Sequence, residues 1–151
     1  MRVGQRKRKR NTIIASLIIG FIIIISVIFV YRYINENAEV ENEVIVYDKT
    51  FEVTGYFGDT YQLEDIKSLE LKDELPTFIE KRHGFGIGQV RRGDFITKEY
   101  GKCRIYVLIE EGPYLHIQMN EGLIILNHLN SEKTNTLYKE LIEKVKDEQI
   151  N

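Results

Sequence analysis

The chain has 151 residues, 43% of them apolar, with one cysteine and no tryptophan, which suits one ordinary domain plus an appendage. Its formal charge of −2 is a balance of unequal parts: six of the first ten residues are basic, whereas from Asn11 onward fifteen basic residues face 23 acidic ones, a net −8. The acidic part excludes nucleic acid as a partner, because phosphate backbones repel it, and the single Cys103 excludes an internal disulfide.

The first element is the plainest. Ile13 to Val30 is a run of eighteen residues without a charge, fourteen of them Ile, Leu, Val or Phe. At a rise of about 1.5 Å per residue such a run crosses a hydrocarbon core of roughly 30 Å. Its insertion gains on the order of 4–8 kcal/mol. A small domain cannot hide a helix that is apolar on every side. The prediction is a basic tail over 1–11 and a transmembrane helix over 12–31.

The flanks give direction. Arg2, Arg6, Lys7, Arg8, Lys9 and Arg10 precede the run, while Glu36, Glu39, Glu41 and Glu43 follow Arg32. The positive-inside bias predicts a cytoplasmic N-terminus and an extracytoplasmic remainder. The run exceeds the roughly 7–15 residues of a cleaved signal peptide, and no small-x-small site follows, so an uncleaved single-pass signal anchor is expected. An outward-facing domain without disulfides fits a bacterial cell membrane.

Residues 32–43 are polar and acidic and read as a linker. From Val44 short β-type runs alternate with turn residues. Val44–Val53 predicts a strand, Gly55 and Gly58-Asp59 a turn, Thr60–Leu63 a second strand, and Ile66, Leu69 and Leu71 a third that ends at Pro76. Thr77–Arg82 fits neither period. His83–Gly88 alternates glycine with Phe85 and Ile87, the pattern of a bent strand or a close inter-strand approach. Gly93–Thr97 is short and β-like. Cys103–Ile109 is the clearest strand, and Glu110-Glu111-Gly112-Pro113 turns it towards Tyr114–Met119; Leu123–Asn127 closes the series.

The period then becomes helical. Ser131 is the expected N-cap, and Leu137, Tyr138, Leu141, Ile142 and Val145 form one apolar stripe on a helix over about 131–148. About seven short strands and one amphipathic helix describe a mainly β, α+β body over 44–148: a small antiparallel sandwich or barrel with a helix across one open end.

Particular residues resemble those of a known family. Ile66 to Pro76 (IKSLELKDELP), Gly84-Phe85-Gly86-Ile87-Gly88, Gly93-Asp94-Phe95, Tyr100-Gly101-Lys102, Pro113-Tyr114, Asn127, Glu132-Lys133-Thr134, Leu137-Tyr138 and Leu141 lie in an order and spacing similar to the bacterial pleckstrin homology-like (PH-like) domain family of membrane-associated proteins. The resemblance implies a seven-stranded barrel capped by a C-terminal helix. It implies no activity, since such scaffolds host binding sites of many kinds. Members often carry two membrane helices, and this chain has one run that qualifies.

Chemistry is sparse. The stretch HGFGIGQVRRG lacks the Gly-Lys-Ser/Thr of a phosphate loop and the helix that a dinucleotide fingerprint requires. His83, His116 and His128 do not pair at ligand spacing, and Cys103 has no companion, so no metal or other cofactor is expected. His116 falls on what reads as the polar face of its strand, beside Tyr114 and Gln118. No Ser lies in a Gly-x-Ser-x-Gly elbow, and no catalytic residue is assigned. Lys81, Arg82, His83, Arg91, Arg92 and Lys98 form the one basic cluster of the acidic body and the candidate patch for an anion or partner. The expected role is a non-catalytic, membrane-tethered module of the cell envelope that binds a protein partner, itself a membrane or envelope protein. The alternative is a ligand-binding or enzymatic domain with a pocket at one barrel end, for which Glu110, Glu111 and His116 would be the groups to test.

Overall fold

The computed structural model describes the backbone of residues 2–38, 41–108 and 112–150, and the side chains of 14–33, 41–108 and 112–148. The side chains of the basic tail and of Glu36, and residues Glu39, Ile109, Glu110 and Glu111, lie outside the described residues. The chain divides into two units, 1–39 and 40–151.

In the first unit the apolar run is helical because a helix satisfies every backbone group within the segment. Helix α1 covers Arg2–Ala38. Within it Ile14–Tyr33 is long and apolar enough to cross a membrane, and none of its large apolar side chains is buried. Residues 32–38 of the segment read as a linker are therefore helix, which continues to Ala38.

The second unit holds nine described strands in two sheets and one long helix. A small antiparallel sheet has the order β1 (Val44–Val46), β2 (Thr50–Val53), β3 (Asp59–Gln62). The expected strand Val44–Val53 is thus a hairpin, broken at Tyr47-Asp48-Lys49, where Tyr47 N–H returns to Thr50 O at 2.8 Å. After a 3-10 turn at Leu63–Asp65 come β4 (Ile66–Lys72), β5 (Phe78–Ile87), β6 (Val90–Thr97), β7 (Gly101–Leu108), β8 (Tyr114–Met119) and β9 (Gly122–Leu126). Their order across the larger sheet is β4-β8-β9-β7-β6-β5. Two features depart from seven antiparallel strands: the total is nine, and β7 pairs with β9 in parallel. Thr77–Arg82, without a clear period in the sequence, supplies most of the first half of β5; bulges between Phe78 and Glu80 and between Lys81 and His83 break its alternation.

β4 and β5 are adjacent in sequence yet occupy opposite edges of the larger sheet. In a flat sheet those edges would stand about 24 Å apart, and the chain from Lys72 to Phe78 reaches only about 20–22 Å. The sheet therefore curls, and the connection crosses one face. Leu75 and Phe78 pack there against Phe95, Cys103, Ile105, Val107, Tyr114, Leu123 and Ile125. On the other face Tyr106, Leu115, Ile117, Ile124 and Leu126 meet Phe51 and Val53 of the small sheet and Leu137 and Leu141 of α2 (Ser131–Ile150). Each fully buried side chain of this type contributes about 1.5–3 kcal/mol. Two cores on opposite faces of one sheet explain why β7 to β9 are buried almost throughout.

Helix α2 begins as the period indicates, but Ser131 is its first residue and not its cap. Asn130 Oδ1 accepts Glu132 N–H at 2.8 Å, which makes Asn130 the N-cap.

Candidate functional site

The basic cluster is carried mainly by the β5–β6 hairpin, where two opposed glycines let the strands approach closely. Gly84 and Gly93 are register partners. A Cβ on Gly84 would lie 2.2 Å from Arg92 O, and one on Gly93, whose φ is +106°, would lie 2.3 Å from His83 O. Of the alternating glycines, Gly84 marks a close strand approach, whereas a Cβ on Gly88 would meet nothing within 4 Å.

The hairpin does not gather its basic residues into one surface. Lys81, Arg82 and His83 are exposed on β5. Arg82 pairs with Glu80 at 3.3 Å, and the His83 ring meets Phe57 edge-on at 5.4 Å. Arg91 turns back on its own hairpin, donating from Nη1 to Gly88 O and Val90 O, both at 2.8 Å. Arg92 is buried; burial pushes its guanidinium pKa down, and the nearby charge of Glu41 opposes that shift. Lys98 follows the far end of β6, seven residues from Arg91, which is about 23 Å of extended chain. Lys81, Arg82 and His83 remain together, while Arg91, Arg92 and Lys98 go elsewhere.

A polar constellation forms instead where β6 and β7 of the larger sheet face the small one, Asp94 and Arg104 being direct register partners. Arg104 and Tyr106 occupy alternate positions on β7 and point the same way. Arg104 Nε lies 2.9 Å from Asp94 Oδ1, and its Nη1 donates to Phe57 O at 3.3 Å. Tyr106 donates to the same carbonyl at 2.7 Å. The hydroxyls of Tyr61 and Tyr106 are 2.9 Å apart. With the Tyr106 proton directed to Phe57 O, Tyr61 is the donor of that pair. Phe57 holds φ at 62°, a conformation uncommon for a residue with a side chain, and two donors to its carbonyl help fix it there. Burial raises the pKa of both tyrosines, so both hydroxyls stay protonated.

Beside this network opens a cleft of about 880 Å³, bounded by β3, the start of β7 and the β8–β9 turn. Tyr61, Asp94 and Arg104 form part of its wall, with Asp65, Lys102 and Glu121 also lining it. A lining of both charges suits polar recognition. The sequence held one signal of it: Arg104 interrupts the apolar run from Cys103 to Leu108, on the face that Tyr106 shares.

Cys103 is buried, and burial raises its thiol pKa against a smaller opposing effect of Thr97. His116 lies on a face that is buried, not polar as its neighbours Tyr114 and Gln118 suggested. The β4–β5 connection and Tyr100 cover that side, the Tyr100 ring standing edge-on to the imidazole at 5.7 Å. Neither ring nitrogen has a hydrogen-bond partner among the described residues. Burial first, and then the charge of Lys72, lower its pKa to about 4, so the ring is neutral near pH 7. His83, His116 and His128 stand on β5, on β8 and after β9. Among the described residues no group of three or more His, Cys, Asp or Glu side chains is arranged to hold a metal ion.

A second polar cluster joins the first body residues to the start of α2. Glu41 Oε1 accepts Leu129 N–H at 2.7 Å and the Nδ1–H of buried His128 at 2.9 Å, and Oε2 lies 3.5 Å from Lys133 Nζ. Burial raises the carboxyl pKa, but Leu129, His128 and Lys133 together outweigh it and hold Glu41 below its ordinary value. No family model, no curated protein and no solved structure matches the chain.

Proposed function

We propose that this chain is a non-catalytic, single-pass, membrane-tethered interaction module of a bacterial cell envelope, with a PH-like body that binds a protein partner. The observation that carries the reading is α1, whose stretch Ile14–Tyr33 is apolar around its whole circumference and has no large side chain buried. A body on such an anchor meets other membrane proteins at high effective concentration. The PH-like assignment rests on the spacing of the residues named above and on a β body followed by a C-terminal helix. The charge bias of the basic tail supports a cytoplasmic N-terminus and a body outside. The test is photo-crosslinking in intact cells from probes at Lys102 and Arg82. One specific envelope or membrane protein is expected, lost when residues 44–148 are deleted; retrieval of abundant bystanders alone would count against the proposal.

The cleft favours a second reading, a binding site for a lipid headgroup or small polar ligand, because about 880 Å³ lies in the usual range of ligand sites. A thermal-shift screen addresses it: a ligand at 100 times its Kd adds about 2.7 kcal/mol of stability. Turnover lost on replacing Glu110, Glu111 or His116 would replace both readings with an enzyme.

A further inference from the structure

The segment Glu41–Val46 is attached to the body by side-chain contacts at one end and a short ladder at the other. We propose that it is a releasable strap, latched by the Glu41 carboxylate, and that the latch sets the length of the body's tether. Four observations define the latch. Glu41 takes the Leu129 amide, the His128 ring and the Lys133 ammonium on its two oxygens, and Arg92 of β6 is close enough for their charges to interact. The next residue, Asn42, is buried and donates from Nδ2 to Thr54 O and, at 3.3 Å, to Tyr56 O. Beyond it β1 is only three residues long, an edge strand paired with β2 alone. Finally, the side chains that fill both cores come from other elements; Val44 and Val46 only pack against one core from its margin.

So short an edge strand has little stability of its own. A segment held by a few polar contacts at the margin of a core opens locally, below the free energy of global unfolding. Asn42, Glu43 and β1 tie the segment to β2 and the loop after it, whereas Glu41 ties it to Leu129, His128 and Lys133, so loss of the carboxylate frees one end and lowers the cost of opening the rest. Release frees six residues, Glu41 to Val46, and adds about 20 Å of extended chain to the tether. Tether length sets effective concentration at a partner. This consequence rests on the tethered-module reading; the latch itself does not.

The experiment is hydrogen exchange, read by mass spectrometry near pH 7, on the full chain in lipid nanodiscs. In Glu41→Ala, peptides covering 41–47 are expected to exchange at least about tenfold faster, while β7 and residues 141–148 of α2 exchange as in wild type. Glu41→Gln, which keeps an acceptor and removes the charge, is expected to fall between. Unchanged exchange at 41–47, or a parallel rise across the whole body, overturns the proposal. If Glu41→Ala does not fold, Lys133→Met leaves Leu129 and His128 in place and is expected to give a localised rise of about twofold; no localised rise overturns it equally. A latch that fails this test leaves the partner question to crosslinking, and a partner that is never captured leaves the exchange result standing.

Discussion

Single side chains and single dihedral angles decide much of the behaviour of the β5–β6 hairpin. Gly93→Ala places a methyl 2.3 Å from His83 O and 2.6 Å from the Gly84 Cα at a φ of +106°, so backbone must move. Gly88→Ala meets nothing within 4 Å and bears only the left-handed φ of +54°. Chemical denaturation is expected to show a loss of 3 kcal/mol or more, roughly, for the first and about 1 kcal/mol for the second. Equal losses would show that close approach is not what requires Gly93. At Glu41 the sign of the pH effect follows from a carboxyl pKa held below its ordinary value. Its stabilising contribution is complete above the unfolded pKa of about 4.3 and disappears as pH falls through the lower folded value. The melting temperature of wild type is expected to fall across that acid window more steeply than that of Glu41→Gln; parallel curves would remove Glu41 as a source of the dependence.

At the scale of elements, the parallel pairing of β7 and β9 needs a device to align two strands that no tight turn connects. Asn127 supplies it. Its Oδ1 accepts Leu108 N–H at 2.7 Å and its Nδ2 donates to Leu108 O at 3.0 Å, a buried side chain extending the ladder past the last residue of β9. Asn127→Ala strands both backbone groups of Leu108, and the expected cost is about 2–5 kcal/mol. Hydrogen exchange should report the opening first at the C-terminal end of β7. Asn127→Asp retains the acceptor but sets a second buried oxygen against Leu108 O, so near neutral pH its loss is expected to be at least as large; an alanine variant as stable as wild type would mean that packing alone sets the register. Tyr106 plays a comparable part between the sheets, since its hydroxyl and Arg104 both fix Phe57 O.

For the whole molecule, topology determines which partners are within reach. The charge asymmetry around the apolar run predicts a cytoplasmic tail and an exported body. The membrane potential reinforces it by about 2.3 kcal/mol per charge per 100 mV. A cysteine placed at Asn37 in a Cys103→Ser background should react with a membrane-impermeant maleimide in intact cells, and one placed at Gly4 should not. The reverse pattern would put the body in the cytoplasm and change the class of partner.

By itself the sequence determined the features governed by neighbours along the chain. The apolar run from Ile13 to Val30 specifies a helix long and apolar enough to cross a membrane, and the stripe Leu137, Leu141, Val145 specifies α2 because its period matches one helix face. The period of two at Cys103 to Leu108 specifies β7 for the same kind of reason. Gly84 signalled a close approach because a missing Cβ is a local fact. Tertiary structure decided what depends on residues distant in sequence. The short β4–β5 connection crosses one face and helps bury His116, which alternation alone marks as polar. The β6–β7 register set Asp94 beside Arg104, and packing of the small sheet on the other face brought Phe57 to Arg104 and Tyr106. Extended β6 separated Lys98 from Arg91 and Arg92, since proximity in sequence becomes distance along a strand. Glu41 reads as one more acidic linker residue until the fold brings Leu129, His128 and Lys133 to it, 88, 87 and 92 residues away. No local period encodes such a meeting.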